Sequence, residues 1–288
     1  MKVDFFIAGA PKAGTTSLYH YLSQHKEVEM SSVKEPDYFS YNSLKEKGTY
    51  YGRKAIGNLE QYHKLFTNKK NLIRGEASVS YLYYEGVARK IKEYNKNAKV
   101  IIILRNPVER AFSHYLMDYR LGLVSENFED IINKKINHKN ASLYYQQYLL
   151  VGEYYQQIKR FINVFGSDNL LIINYEDFKN NLPNTFKQIC LFLKISDTFK
   201  ANFKNSYNTY IRPRNKFIRW FYSFVKLRKI LSTIIPKGIA KNIIKILFTS
   251  SKKPKLTKST RTFLNSYYKE DIIRLSKLLK RDFSSWKK

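Results

Sequence analysis

The chain has 288 residues, 43% of them hydrophobic and 16% aromatic, which suits one sizeable folded α/β domain or two small ones and excludes a disordered chain. Its 52 Lys and Arg against 23 Asp and Glu give a formal net charge of +29, a field that gathers anionic substrates, polymers or lipid headgroups without choosing among them. The lone Cys190, set among Ile189, Leu191, Phe192 and Leu193, reads as a core thiol and leaves no basis for a disulfide or a cysteine metal site.

The opening Met1-Lys2-Val3-Asp4 leads into an apolar run too short for a signal peptide. That run predicts a core strand over Asp4–Ala8, which enters Gly9-Ala10-Pro11-Lys12-Ala13-Gly14-Thr15-Thr16-Ser17-Leu18. A small-residue turn with a lysine, then hydroxyl residues opening a helix over Thr15–His25, is a device for holding a phosphate-like group. Glycine lets the backbone approach an anion closely, and the helix N-terminus offers free N–H groups and a favourable dipole. In a triphosphate-binding loop of the form G-x-x-x-x-G-K-[ST] the lysine follows the second glycine. Here Lys12 precedes Gly14, which puts it at the mouth of the turn, while Thr15, Thr16 and Ser17 remain as donors to a 5′-phosphate.

A weak strand is expected near Val28–Met30 and stronger ones over Leu72–Glu76, Lys99–Leu104 and Asn169–Ile173. Helices are expected over Val87–Tyr94, Pro107–Leu121, Tyr154–Phe165 and Asn184–Leu193. Val100–Leu104 and Leu170–Ile173 are continuously apolar, as strands covered on both faces require. The alternation predicts an α/β fold, a single P-loop-like domain over residues 1–288 whose central parallel sheet is flanked by helices. Helices that follow strands directly open at the carboxyl edge of the sheet, where ligands bind in such folds.

The strand Val100–Leu104 runs into Arg105-Asn106-Pro107-Val108-Glu109-Arg110-Ala111-Phe112-Ser113. Pro107 suits the first turn of a helix, where its missing N–H costs nothing. Arg105 at the strand end and Ser113 two turns into the helix can converge on one anion, a bidentate guanidinium joined by a hydroxyl.

A basic, helical C-terminal region follows. Between about residues 216 and 255, Lys216, Arg219, Ser223 and Lys226 recur at helical spacing against Phe217, Trp220, Phe221 and Phe224. Lys237, Lys241 and Lys245 then lie opposite Ile239, Ile243, Ile244 and Leu247. Two readings of this insert stand: apolar faces packed on the domain with solvated lysines, or a surface for an anionic bilayer. Lys258–Trp286 resumes an ordinary helical pattern. Zinc-finger spacing, RNA-binding strand motifs and basic regions with heptads are all missing, so no nucleic-acid partner is expected, and no apolar stretch is long enough to span a membrane.

With both anion motifs, the chain resembles the sulfotransferases that use 3′-phosphoadenosine 5′-phosphosulfate (PAPS), especially the heparan-sulfate-type and related bacterial carbohydrate enzymes. The resemblance implies that the loop Pro11-Lys12-Ala13-Gly14-Thr15-Thr16-Ser17 holds the 5′-phosphosulfate and that Arg105 and Ser113 hold the 3′-phosphate. Two separated phosphate sites suit this donor, and ATP has no 3′-phosphate. Lys34-Glu35-Pro36-Asp37-Tyr38-Phe39 is similar to the family's lysine–glutamate–aromatic segment, and Gly75-Glu76-Ala77-Ser78-Val79-Ser80-Tyr81-Leu82 to its acceptor-side loop. Lys34, Glu76 and Ser78 are therefore acceptor-side candidates. Asn208–Arg214 resembles the loop that closes over the nucleotide, with Arg212 and Arg214 as phosphate contacts. Glycosaminoglycan enzymes commonly carry a lysine after the glutamate and a proline further on, where this chain has Ala77 and Val79.

What the resemblance implies is transfer of a sulfuryl group to an acceptor hydroxyl or amine on a saccharide or glycolipid, leaving adenosine 3′,5′-bisphosphate and needing no metal. Glu35 is the implied general base, with Glu76 in reserve, and Lys12 the neutraliser of the leaving oxygen. His114 lies on a different helix face from Ser113 and reads as packed or exposed. A cytoplasmic location is expected, with peripheral contact at the inner face of a membrane through residues 216–255. Two rivals remain: a P-loop nucleotide kinase or NTPase, opposed by the position of Lys12, and a non-enzymatic binder of anionic polymers or membranes, which leaves the paired anion sites unexplained.

Overall fold

The structure, a computed structural model, describes residues 1–50, 55–67, 69, 71–199, 201–203, 212–215, 217, 218, 220, 224, 239, 242, 243, 246–249 and 253–287. Its core is a parallel sheet of β1 (Phe5–Gly9), β2 (Val28–Met30), β3 (Ile73–Ala77), β4 (Lys99–Leu104) and β5 (Leu170–Asn174), in the order β2-β3-β1-β4-β5. Every residue of β1 is buried, and so are the last five of β4, which is why these runs are apolar without alternation. The register sets Phe5 beside Gly75 on one side and Lys99 on the other. A Cβ at Gly75 would lie 2.0 Å from Phe5 Cζ, so the bulk of one strand is accommodated by the glycine of its neighbour.

The helices are α1 (Thr15–Leu22), α2 (Tyr41–Lys47), α3 (Leu59–His63), α4 (Val87–Tyr94), α5 (Pro107–Leu121), α6 (Phe128–Ile132), α7 (Ala141–Tyr148), α8 (Tyr154–Phe165), α9 (Tyr175–Asn180), α10 (Leu182–Leu193) and α11 (Lys258–Leu279). The five strands and the longer helices fall where the sequence pattern puts them, with shifted ends. The first helix stops at Leu22 instead of reaching His25, whose ring nitrogens bond Ser196 O at 2.9 Å and the Glu27 N–H at 3.1 Å. Those bonds tie His25 to the turn before β2. The helix expected from Asn184 begins two residues earlier, with Pro183 in its first turn.

α11 ends at Leu279, and the chain closes through a short turn at Ser284–Lys287. Trp286 is buried, and its carbonyl accepts from Asn106 Nδ2 at 2.8 Å, which docks the C-terminal turn on the start of α5. Most of the basic segment expected to form two amphipathic helices lies outside the described residues. Of those described, Phe217, Trp220, Ile239 and Ile246 are exposed, and β6 (Arg212–Pro213) pairs antiparallel with β7 (Phe248–Thr249). Among the described residues no helix is long and apolar enough to cross a membrane.

Candidate active site

β1 opens at the carboxyl edge of the sheet into the glycine-bearing turn. The Ala10 N–H donates to Ile103 O at 2.8 Å, pinning the turn to β4. Lys12 and Gly14 take left-handed backbone angles, φ 67° and 87°. A Cβ at Gly14 would lie 3.0 Å from Phe178 Cε1 of α9, so conformation and close approach both demand glycine there. Thr15, Thr16 and Ser17 form the first turn of α1, whose N–H groups have no acceptor within the helix. The Lys12 side chain reaches across to α5 and donates to Met117 Sδ at 3.1 Å. Burial lowers its pKa to about 8; the charges of Arg120, Arg105 and Lys34 push the same way, and Asp118 opposes them.

Arg105 leaves the end of β4 and joins the two anion motifs. Its Nη1 donates to the Lys12 carbonyl at 2.8 Å, and its guanidinium lies 4.7 Å from the centroid of the Tyr175 ring. Its Nε is buried with no acceptor among the described residues. A guanidinium so placed retains capacity for an anion, which fits a phosphate ligand. Asn106 caps α5 by accepting from the Val108 N–H at 2.9 Å, and Ser113 is half-buried two turns along. Arg110, fully buried, instead donates to the carbonyls of Gln147 and Tyr148, a structural role. His114 is packed beneath: its Nδ1 lies 3.5 Å from Arg110 Nη1 and its Nε2 3.9 Å from Asp118 Oδ2. Burial and then the Arg110 charge push its pKa well below the ordinary histidine value.

On the other side of the turn, the Glu35 N–H donates to Ala77 O at 2.8 Å, hanging its segment from the end of β3. Its half-buried carboxylate is hydrogen-bonded and ion-paired to Lys34. Glu76 and Ser78 lie deeper. Glu76 is wholly buried, burial lifts its pKa to about 8, and its Oε2 accepts from Ser78 Oγ at 3.2 Å. Ser78 Oγ in turn accepts the Asp37 N–H at 3.0 Å, so these two acceptor-side candidates form the internal support of the Lys34–Phe39 segment. The edge of the sheet therefore brings Lys12, Arg105, Lys34 and Glu35 together. Arg214 is exposed, with its N–H donating to Leu247 O at 3.0 Å, while residues 208–211 of the expected closing loop lie outside the described residues, as does the Arg212 side chain.

Residues 2–274 match the family described as the sulfotransferase domain. The chain belongs to the sulfotransferase family. This sulfotransferase is 27% identical to a sulfotransferase of Alicyclobacillus acidocaldarius whose crystal structure superposes with a TM-score of 0.76, covering 100% of both chains. Mouse sulfotransferase SULT7A1, solved with PAP, shares the fold at a TM-score of 0.50 and 16% identity, over 94% of this chain and 84% of that one. Among curated relatives, carbohydrate sulfotransferase 15 of Rattus norvegicus is 26% identical over 243 residues, 66% of this chain and 43% of that protein. The chain thus spans less than half the length of such relatives.

Asp37, Asp118 and Tyr175 escaped the sequence reading of the site. Asp37 is buried at a left-handed turn and accepts from Ser80 Oγ at 2.7 Å, and burial lifts its pKa to about 6. Asp118 Oδ2 accepts from the hydroxyls of Tyr50 at 2.7 Å and Tyr148 at 2.8 Å beside the Lys12 side chain. Asp37 lies inside a motif already singled out and Tyr175 opens the stretch Tyr175-Glu176-Asp177-Phe178, which is similar to the family's course, whereas no local pattern marks Asp118, whose partners Tyr50 and Tyr148 lie far along the chain.

Proposed function

We propose that this sulfotransferase moves the sulfuryl group of PAPS to a hydroxyl of a saccharide, releasing adenosine 3′,5′-bisphosphate (PAP). The observation that carries the reading is the Arg105 guanidinium bonded to the Lys12 carbonyl, because it joins two anion-binding segments of different sequence origin. The loop from Pro11 to Ser17 would hold the 5′-phosphosulfate, and Arg105 with Ser113 the 3′-phosphate; Arg212 and Arg214 belong to the same proposal as closing contacts. PAPS supplies the activated sulfuryl group. Glu35 takes the proton from the acceptor oxygen as that oxygen bonds to sulfur. The bond from sulfur to the 5′-phosphate oxygen breaks, and Lys12 neutralises the electron pair left on that oxygen. The name of the rat relative, a carbohydrate sulfotransferase, supports a saccharide acceptor.

Two measurements test this. Calorimetry with PAP, adenosine 5′-phosphate and ATP should show clear preference for PAP; equal affinities would refute the donor assignment. Glu35→Gln should keep PAP affinity and lose about 10²- to 10⁴-fold in turnover, and near-normal turnover would remove Glu35 as the base.

The exposed Phe217, Trp220, Ile239 and Ile246 within a lysine-rich segment favour an additional reading, a cytoplasmic enzyme peripheral at the inner face of a membrane and acting on a glycolipid. Sedimentation with phosphatidylserine vesicles, lost on changing Phe217 and Trp220 to Ser, would support it; equal sedimentation of both proteins would overturn it.

A further inference from the structure

The segment that carries Glu35 has an unfavourable backbone. Glu35 and Asp37 take left-handed angles, φ 61° and 54°, on either side of Pro36, where the Cβ of a non-glycine residue crowds the neighbouring carbonyl. A residue before proline is biased toward extended backbone besides. Such angles persist only where the surroundings over-determine them. Here the surroundings are the loop that follows β3. Alternate N–H groups of the segment donate to it in series: Glu35 to Ala77 O at 2.8 Å, Asp37 to Ser78 Oγ at 3.0 Å and Phe39 to the Tyr81 hydroxyl oxygen at 3.3 Å. Ser80 Oγ donates to Asp37 Oδ1 at 2.7 Å and lies 2.7 Å from Ser40 Oγ.

Two of those three acceptors are hydroxyls, and Glu76 stands beneath both. Ser78 Oγ donates to Glu76 Oε2 at 3.2 Å, and the Tyr81 hydroxyl lies against the same carboxyl. Ser78 has a single hydroxyl proton, and giving it to Glu76 leaves its lone pairs for the Asp37 N–H. Glu76, Ser78 and Tyr81 are all completely buried. As a stabilising device a wholly buried carboxyl is poor, since an apolar side chain of similar size would fill the place without losing hydration. What the carboxyl fixes is the direction of the two hydroxyls. Burial lifts its pKa to about 8, so at neutral pH it is mostly the neutral acid, which accepts from Ser78 without adding a buried negative charge.

We infer that Glu76 is a positioning residue: through Ser78 and Tyr81 it sets the left-handed turn that aims the Glu35 carboxylate at the acceptor. The inference rests on the reading of Glu35 as the base and deepens it, because it withdraws Glu76 as an alternative base and gives the loop after β3 a part in the geometry of proton transfer. A proton passes from the acceptor oxygen to Glu35 only within hydrogen-bond reach, and a turn that relaxed to ordinary backbone angles would swing the carboxylate out of that reach. The ion pair with Lys34 cannot hold the aim, because Lys34 rides on the same segment.

The test is transfer of labelled sulfate from PAPS into a polysaccharide extract of the source cells, with PAP calorimetry on each protein. Ser78→Ala and Glu76→Ala are expected to lower turnover about ten- to hundredfold, the effect of a misplaced reacting group. PAP affinity should stay within about twofold of wild type, which also reports an intact fold. Glu76→Gln keeps an oxygen for the Ser78 proton and should restore most of the turnover that Glu76→Ala loses. Glu35→Gln combined with Ser78→Ala should be no slower than Glu35→Gln alone, because nothing is left to position once the base is gone. Should Glu76→Ala fail to fold, Ser78→Ala and the double variant carry the test. Ser78→Ala turnover near wild type, or a Ser78→Ala loss that adds in full to that of Glu35→Gln, would overturn the inference and leave Glu35 as the base. Turnover of Glu76→Gln as low as that of Glu76→Ala would overturn it too. Near-normal turnover of Glu35→Gln, or no transfer by the wild-type protein, would overturn both readings.

Discussion

Lys12 makes ligand binding a proton-coupled event. Burial and the neighbouring charges of Arg120, Arg105 and Lys34 bring its pKa to about 8, against about 10.4 for an unperturbed lysine. An anion in the turn supplies the missing countercharge and returns the pKa toward that value. Binding of PAP should therefore take up about 0.1 proton at pH 7, about 0.5 at pH 8 and about 0.9 at pH 9. Over that upper range PAP affinity should fall with a slope approaching tenfold per pH unit. The sign for stability follows from the same shift. The unfolded chain binds more protons than the ligand-free fold between about pH 8 and 10.4, so stability rises with pH through that window. Below it, the protonated ammonium costs the ligand-free fold on the order of 3 kcal/mol, half-buried as it is. Calorimetry at pH 8.5 in two buffers of different ionisation enthalpy measures the proton uptake directly. Glu76, lifted by burial to about 8, titrates in the same window, so Lys12→Met is the control. Equal uptake by Lys12→Met and wild type, or none by wild type, would refute the reasoning.

Gly14→Ala places a side chain at φ 87° and 3.0 Å from Phe178 Cε1; the left-handed backbone costs about 1–2 kcal/mol. Most of that should appear as PAP affinity lowered about tenfold in a titration, because the turn can bind only in this conformation. Arg105→Ala removes the bond to the Lys12 carbonyl and the proposed 3′-phosphate contact together, so the ratio of PAP to adenosine 5′-phosphate affinity should fall to about one by competition binding. Asp271 of α11 accepts the N–H groups of Tyr154 at 2.7 Å and Tyr155 at 3.0 Å, capping α8 from another helix. Asp271→Ala should cost about 0.5–2 kcal/mol in urea unfolding, with PAP affinity of the folded protein unchanged.

The parts legible in the sequence were those fixed by local chemistry. β1 and β4 announced themselves because burial on both faces forbids alternation, and the turn because Gly14 precedes three hydroxyl residues. Helices α3, α6 and α9, at five, five and six residues, are too short for a periodic pattern to show. The role of Glu76 was equally hidden. A glutamate beside a loop motif looks available, yet its strand position turns the carboxylate inward, where Ser78 links it to the Asp37 turn. Long-range charge clusters are the extreme case: Glu109 and Arg261 are separated by 152 residues and meet at 2.8 Å.

Arg105 shows why the kind of contact matters for interpreting a loss of function. The sequence marks it as a clamp on an anion, and its stack on Tyr175 and buried Nε agree with that role. Its Nη1 also holds the Lys12 carbonyl, so it shapes the turn that the 5′ end of the ligand would occupy. Removing Arg105 thus perturbs both ends of the proposed donor site, and weaker PAP binding alone cannot separate the two effects. Adenosine 5′-phosphate separates them, because it occupies only the turn. The part of the loss it shares with PAP belongs to the turn, and the remainder to the 3′-phosphate.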